Sequence, residues 1–328
     1  MVAATKALAL SIDLDDLACY RAIHGRGGRL GKRPRTEADI LPIYRTALPR
    51  FRHFCEANKA RATLFLPTIH LDFIQGLGAE LRAWVNDGYE VASHSHSHPY
   101  ALTRLPRGLQ QAEVAGSGIR IAEALGAHPK GFRAPGYTLS TELARIIREA
   151  GFHYDASLMR SPVYVGAKGV AISLKWLQSV RFQRRSASAS ILGDPRVLCA
   201  PTLPYRMDEA AFHRRGSGLL EWPISCTPTY AGAMPWIGTL LALLPERAVR
   251  QLARTVAHRS ALGIEFHAID FLEASEFGGA ELKRLQPELR VPLNARLARY
   301  AIALAQHARD GFAPGASLQD AFEQVDGL

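Results

Sequence analysis

Cysteine is scarce in this chain of 328 residues: Cys19, Cys55, Cys199 and Cys226 are far apart and form no Cys-x-x-Cys pair. Neither a zinc knuckle nor a disulfide framework is indicated, and reduced, mostly buried thiols are expected. Long apolar runs are missing as well. The longest, around Met234–Pro245, holds about a dozen residues, whereas a membrane-spanning helix takes roughly 20. The N-terminus, MVAATKALALSIDLDD, has one lysine and a short apolar run that ends among Asp13, Asp15 and Asp16. It does not read as a secretory signal, so a cytoplasmic address is expected, with a peripheral position on the inner membrane face as its variant.

Acidic residues are the minority, 30 against 40 Lys plus Arg, for a formal charge of +10. That balance favours anionic partners: phosphate-bearing substrates, nucleic acid or an acidic membrane surface. No helix-turn-helix, RRM or KH signature accompanies it, and the arginines are scattered, so no nucleic acid is expected. With 48% hydrophobic and 21% charged residues the composition is ordinary for a globular protein, which excludes collagen-like and fully disordered chains.

Short apolar segments alternate with helical ones. Strands are expected at Ala7–Asp13, Ala62–Pro67, Tyr89–Ser93, Gly131–Arg133, Phe152–Tyr154, Leu219–Ser225 and Leu262–His267. Helices are expected from a capping box at Thr36–Asp39 to about Asn58, and over Ala79–Asn86, Arg107–Leu125, Thr141–Ala150, Ile237–Ala257 and Val291–Ala308, with a last one from Ser317. The alternation predicts parallel βαβ units in one α/β domain over 1–328, about seven strands, with 280–328 as its C-terminal helical part. Residues 158–218 are rich in Ser, Arg and Gly, lack clear helical periodicity and read as a long insertion.

Polar residues recur where the predicted strands end: Asp13, Asp15 and Asp16; His94, His96 and His98; Arg133; Asp155; His267. In a βα barrel that edge carries the active site. His94 and His98 are four apart, so a helical turn would put both imidazoles on one face, where a nearby carboxylate completes a three-ligand metal site. A surface Ser/His run is the alternative, and His96 would face elsewhere. Asp13 and Asp15 would share a side if the strand continues. Two such carboxylates suit a metal ligand and a general base, and which is which stays open. Asp16 alone reads as a helix cap.

Taken together these segments resemble the polysaccharide deacetylase family, the NodB homology domain of carbohydrate esterase family 4. Ser11-Ile-Asp-Leu-Asp-Asp16 is similar to the I-D-x-D variant of the first motif, seen in deformylases of lipid-linked aminosugars. His94-Ser-His-Ser-His98 matches the second motif, Phe132-Arg-Ala-Pro-Gly-Tyr137 the third, Tyr154-Asp-Ala-Ser157 the fourth, and Phe266-His267 the fifth. The resemblance implies a distorted (β/α) barrel and metal-dependent hydrolysis of an N-acyl group, most simply N-acetyl, from an amino sugar. It implies Asp15, His94 and His98 as ligands of a divalent metal, Zn2+ first, with Co2+, Ni2+ or Mn2+ as alternatives. It implies Asp13 as base, Arg133 as the group steadying it, and His267 as the acid for the leaving amine, oriented by Asp155. Tyr137, Glu221 and Trp222 are assigned to the substrate.

The basic residues of the Gly-rich segment 17–38 (Arg21, Arg26, Arg29, Lys32, Arg33, Arg35), together with Arg181, Arg184 and Arg185, would suit a phosphate beside the site; solvated charge is the alternative. Ile237–Ala257 would either rest on a membrane or pack inward as an outer helix. A lipid-linked or other phosphate-bearing glycan intermediate is the expected substrate. A formamido sugar, a small soluble N-acetyl metabolite, and a catalytically inactive glycan-binding barrel are the alternatives.

Overall fold

The computed structural model describes residues 6–24, 34–181 and 189–325, with only the main chain for 175–181. The glycines and basic residues of 25–33, Arg184 and Arg185, and the side chain of Arg181 lie outside the described residues, so the expected arginine rim is represented only by Arg21 and Arg35.

One sheet organises the chain. Its strands are β1 (Ala7–Asp13), β2 (Thr63–Leu66), β3 (Glu90–Ser93), β4 (Gly131–Phe132), β5 (Tyr154–Asp155), β6 (Tyr205–Met207), β7 (Arg215–Glu221) and β8 (Ala261–His267), in the spatial order β6-β7-β5-β4-β3-β2-β1-β8. Seven run parallel and β6 alone is antiparallel, paired with β7. The helices are α1 (Leu17–Ile23), α2 (Glu37–Pro42), α3 (Leu48–Ala57), α4 (His70–Phe73), α5 (Leu77–Asn86), α6 (Arg107–Leu125), α7 (Thr141–Glu149), α8 (Pro162–Arg181), α9 (Gly238–Leu243), α10 (Glu246–Thr255), α11 (Gly279–Leu285), α12 (Leu293–Arg309) and α13 (Leu318–Glu323). The mostly parallel sheet is what the alternation predicted, and the fold is the distorted (β/α) barrel that the resemblance implied.

Strand β1 is buried along its whole length. Its residues divide by parity, as a pleated strand requires. Leu8, Leu10 and Ile12 pack outward under the helices, while Ala7 and Ala9 join Phe65, Ala92, Tyr154 and Trp222 inside the barrel. Strand β8 runs beside β1 in register, with Ala7 opposite Ala261, Ser11 opposite Glu265 and Asp13 opposite His267. Small residues low on the inner face and polar ones at its upper end therefore follow from a period of two on adjacent strands.

Two expectations are corrected. The segment 158–218 is not featureless: it forms α8, a 20-residue helix, and the β6–β7 hairpin. The helix escapes sequence detection because apolar residues lie all round it; Val163, Val170 and Leu174 are 48%, 61% and 54% exposed. The helix expected at Ile237–Ala257 is two helices. Leu244 takes ψ 143° because Pro245 follows it, and the α conformation is disfavoured before proline. Val249 and Ala253 of α10 are then buried against the core, the inward-packing alternative.

Candidate active site

The carboxyl ends of β1, β3, β4 and β8 converge on one cleft of about 190 Å3, lined by Asp13, Asp15, His94, Tyr137 and His267 among others. The histidines do not reach it on a helical turn. They sit on the loop after β3, where Ser95 and His98 both take left-handed backbone conformations, φ 64° and 63°. Such a conformation costs a non-glycine residue about 1–3 kcal/mol and persists only where its surroundings enforce it. Here the His98 amide donates to Ser95 Oγ at 3.1 Å, and Ser97 donates to Glu113 from both its amide and its hydroxyl. His96 turns away, its Nδ1 3.0 Å from Thr68 Oγ1.

His94 Nδ1 donates to the Arg133 carbonyl at 2.8 Å, which leaves Nε2 bare and facing the cleft. Asp15 Oδ1 lies 3.4 Å from that nitrogen and 3.0 Å from His98 Nε2. Asp15 Oδ1 and His98 Nε2 are buried without a hydrogen-bond partner. One carboxylate and two imidazoles, with ligand atoms within 4.8 Å of one another, fit a divalent cation with room for a further ligand. Burial pushes the Asp15 carboxyl up, but His98 and His94 outweigh it and hold it well below the ordinary range.

Asp13 is placed differently. Its Oδ1 accepts from Arg133 Nη1 at 2.6 Å, and its Oδ2 stands 3.5 Å from His94 Nε2. Arg133 is 2% exposed and fully engaged: Nη2 donates to Ser11, Nε to the Ala156 carbonyl, and the guanidinium lies 4.0 Å over the Phe65 ring. Burial raises the Asp13 carboxyl, and Arg133 with His94 and His267 more than reverses that, so it ionises below the ordinary carboxylate range.

Sequence reasoning missed Glu265. It is fully buried on the inner face of β8, 3.8 Å from Arg133, and accepts from the Tyr137 hydroxyl at 2.8 Å. The Tyr137 oxygen is also 3.1 Å from His267 Nε2. Since the tyrosine proton is directed to Glu265, the imidazole N–H is the donor in the second contact. Burial, and then the neighbouring Asp13 charge, push the Glu265 carboxyl well above its usual range despite Arg133. Two carboxyls thus share one arginine, and their acidities are driven in opposite directions. Parity could have found Glu265, because it lies two residues before His267 on the same strand face. Asp13, Glu265 and His267 also cluster tightly, but Arg133 already supplies the positive charge there.

The remaining assignments fall elsewhere. Asp155 does not lie against His267. It stands in register with Glu221 of β7, on the face of the sheet opposite Tyr154, and accepts from the Ser157 hydroxyl at 2.6 Å. Glu221 accepts from the Leu158 amide and is fully buried. Burial raises both carboxyls; Asp155 raises Glu221 further, while the hydrogen bond from Glu221 lowers Asp155, and neither residue lines the cleft. Trp222 is 2% exposed and packs edge-on to Phe322, outside the cleft lining. Asp16 caps α1 through the Cys19 amide and pairs with Arg35 and His70. Glu288 forms another wall of the cleft, and burial lifts its carboxyl to about 7.

With that geometry in place, comparison with known proteins finds the polysaccharide deacetylase family matching residues 39–154, a span that includes His94, His98 and Arg133. The peptidoglycan deacetylase-like protein FGM2 of Gibberella zeae is 36% identical over 80 residues, 24% of this chain and 23% of that protein. The peptidoglycan deacetylase of Helicobacter pylori is 29% identical over 124 residues, 36% of this chain and 40% of that protein. The match thus spans less than half the length of either curated relative. Among solved structures, a Mycobacterium smegmatis protein described as a polysaccharide deacetylase superposes with a TM-score of 0.57 at 16% identity, covering 98% of this chain and 91% of that one. The allantoinase Puue superposes at 0.56 with 15% identity, covering 99% and 91%. These two likenesses concern the fold alone.

Proposed function

We propose, from the match of residues 39–154 to the polysaccharide deacetylase family, that the protein is a metal-dependent N-deacylase of an amino sugar, acetyl being the acyl group. The observation that carries this reading is the division of labour between neighbouring acids: Asp15 with two bare imidazole nitrogens, and Asp13 held ionised by Arg133. A divalent ion held by Asp15, His94 and His98, Zn2+ in our reading, would polarise the acyl carbonyl and acidify water. Asp13 then removes the water proton through Oδ2, because Oδ1 is committed to Arg133. Tyr137 and Glu265 hold the His267 ring at the cleft wall, with Nε2 against the Tyr137 oxygen, and this ring is the group placed to pass a proton to the departing amine.

The finer substrate we propose is a lipid-linked or otherwise phosphate-bearing sugar, handled in the cytoplasm at the inner membrane face. Support comes from the formal charge of +10 and from α8, which borders the cleft through Tyr164 and Lys168 while exposing Val163, Val170 and Leu174. No described helix is long and apolar enough to cross a membrane.

The test is acetate and formate release from N-acyl amino sugars by metal-analysed protein, with and without chelator. Chelator-sensitive acetate release is expected. Asp13→Asn should keep its metal and lose about 10²–10⁴ in rate, and His98→Ala should lose metal. Full acetate release by Asp13→Asn would sink the assignment of the base. Formate alone would move the acyl group while leaving the site intact. Cell fractionation, with mass spectrometry of glycolipids from cells lacking the protein, tests address and carrier; no accumulated acylated lipid would remove the carrier.

A further inference from the structure

The catalytic cleft does not end at His267. A second cleft, of about 310 Å3, is lined by Leu139, Met159, Val165, Leu192, Pro195 and Val197, and Tyr137, Tyr164 and Lys168 border both. Its apolar walls come mostly from the segment after β5. At the seam, the Lys168 ammonium donates to the Gly136 carbonyl at 2.8 Å, 5.6 Å from the centre of the Tyr164 ring. An ammonium has three donors, so others are left for a ligand. Among the described residues no carboxylate forms an ion pair with Lys168. Asp194, which also lines the second cleft, is engaged by Arg196. A half-buried cation without a counter-charge is costly unless something anionic joins it, and burial lowers this lysine to about 8.

We propose that Lys168 determines substrate specificity by binding an anionic group, carboxylate or phosphate, located between the scissile amide in the catalytic cleft and an apolar portion of the substrate in the second. The inference rests on the deacylase reading, which it deepens by naming what lies beside the sugar.

Three probes separate the sources of the anion. One is a neutral N-acetylated tetrasaccharide, the second the same glycan with a lactyl carboxylate, and the third an N-acetylglucosamine joined to an octyl chain by a phosphodiester. Lys168→Gln removes the charge yet keeps a donor for Gly136, and Lys168→Arg restores the charge. In Lys168→Gln the preference for an anionic over the neutral probe is expected to fall about tenfold, through KM, with recovery in Lys168→Arg. Loss confined to the lactyl glycan assigns the anion to the glycan, and loss confined to the phosphodiester assigns it to a carrier linkage; either supports the proposal. Calorimetric binding to metal-loaded Asp13→Asn reads the same preference without turnover. A shifted binding preference with no acyl release from any probe would overturn the deacylase reading and leave Lys168 standing. A preference unchanged in both anionic arms, or equal losses on neutral and anionic probes, would overturn the role of Lys168.

Discussion

Arg133 binds more of the site together than any other side chain. It neutralises Asp13, faces Glu265, braces Ser11 and Ala156, and its own carbonyl orients His94. Removing one partner of a buried pair strands the other, at a cost of about 3–5 kcal/mol. Arg133→Met should lose that much stability in urea titration, and adding Asp13→Asn should recover part of it. An Arg133→Met protein as stable as wild type would mean that Asp13 does not carry charge in the fold. Glu265 calls for the opposite expectation. Burial and Asp13 push its carboxyl well above the usual range, so Glu265→Gln, which keeps the shape of the uncharged group, is the mild substitution here. Its stability should stay within about 1 kcal/mol, and its rate should fall far less than that of Asp13→Asn. Equal rate losses in the two variants would make Glu265 a base in its own right.

At the scale of elements, β8 shows what periodicity can do and α12 what it cannot. Strand parity places Ser11, Asp13, Glu265 and His267 on one face, as expected for adjacent parallel strands in register. The same parity separates Asp155 from His267, which motif order alone could not reveal. His307, near the end of α12, is fully buried and accepts from Trp236 Nε1 at 2.9 Å. Burial pushes its imidazole down to about 4, from an ordinary value of 6.5. The folded protein therefore binds fewer protons than the unfolded chain between those two values. The stability that neutral His307 contributes is complete above pH 6.5 and is lost as pH falls through 6.5 toward 4, by roughly 3 kcal/mol. His307→Gln keeps an acceptor for Trp236 and does not titrate. Its melting temperature should fall less than wild type's over that window, and parallel curves would show that His307 is not the responsible group.

For the whole molecule, charge and shape concern the same question. A formal charge of +10 and the exposed apolar residues of α8 both suit an acidic membrane surface. The protein should sediment with phosphatidylglycerol vesicles at low salt and be released at about 1 M, where the screening length is about 3 Å. Equal binding to neutral vesicles, or none to either, would remove electrostatics from membrane association. Of the two alternatives for the segment that contains α10, membrane contact or inward packing, α10 shows the second, with Val249 and Ala253 buried in the core. The surface that could make such a contact lies on α8, within a segment that shows no helical stripe in sequence.

The alternation of strands and helices, the strand-end positions of Asp13, Asp15, His94, His98, Arg133 and His267, and the capping box at Thr36 were all legible in the chain, because each depends on local spacing: a period of two, a cap, a strand terminus. Tertiary structure alone decided the rest. It separated the two acids, giving Arg133 to Asp13 and the histidines to Asp15. It placed Glu265 beside them and paired Asp155 with Glu221 on the far side of the sheet. Those outcomes depend on which strands are neighbours and in what register, and on burial that raises one carboxyl while an arginine lowers the next. Such quantities belong to contacts between residues on different strands, far apart in the chain, and no local spacing encodes them.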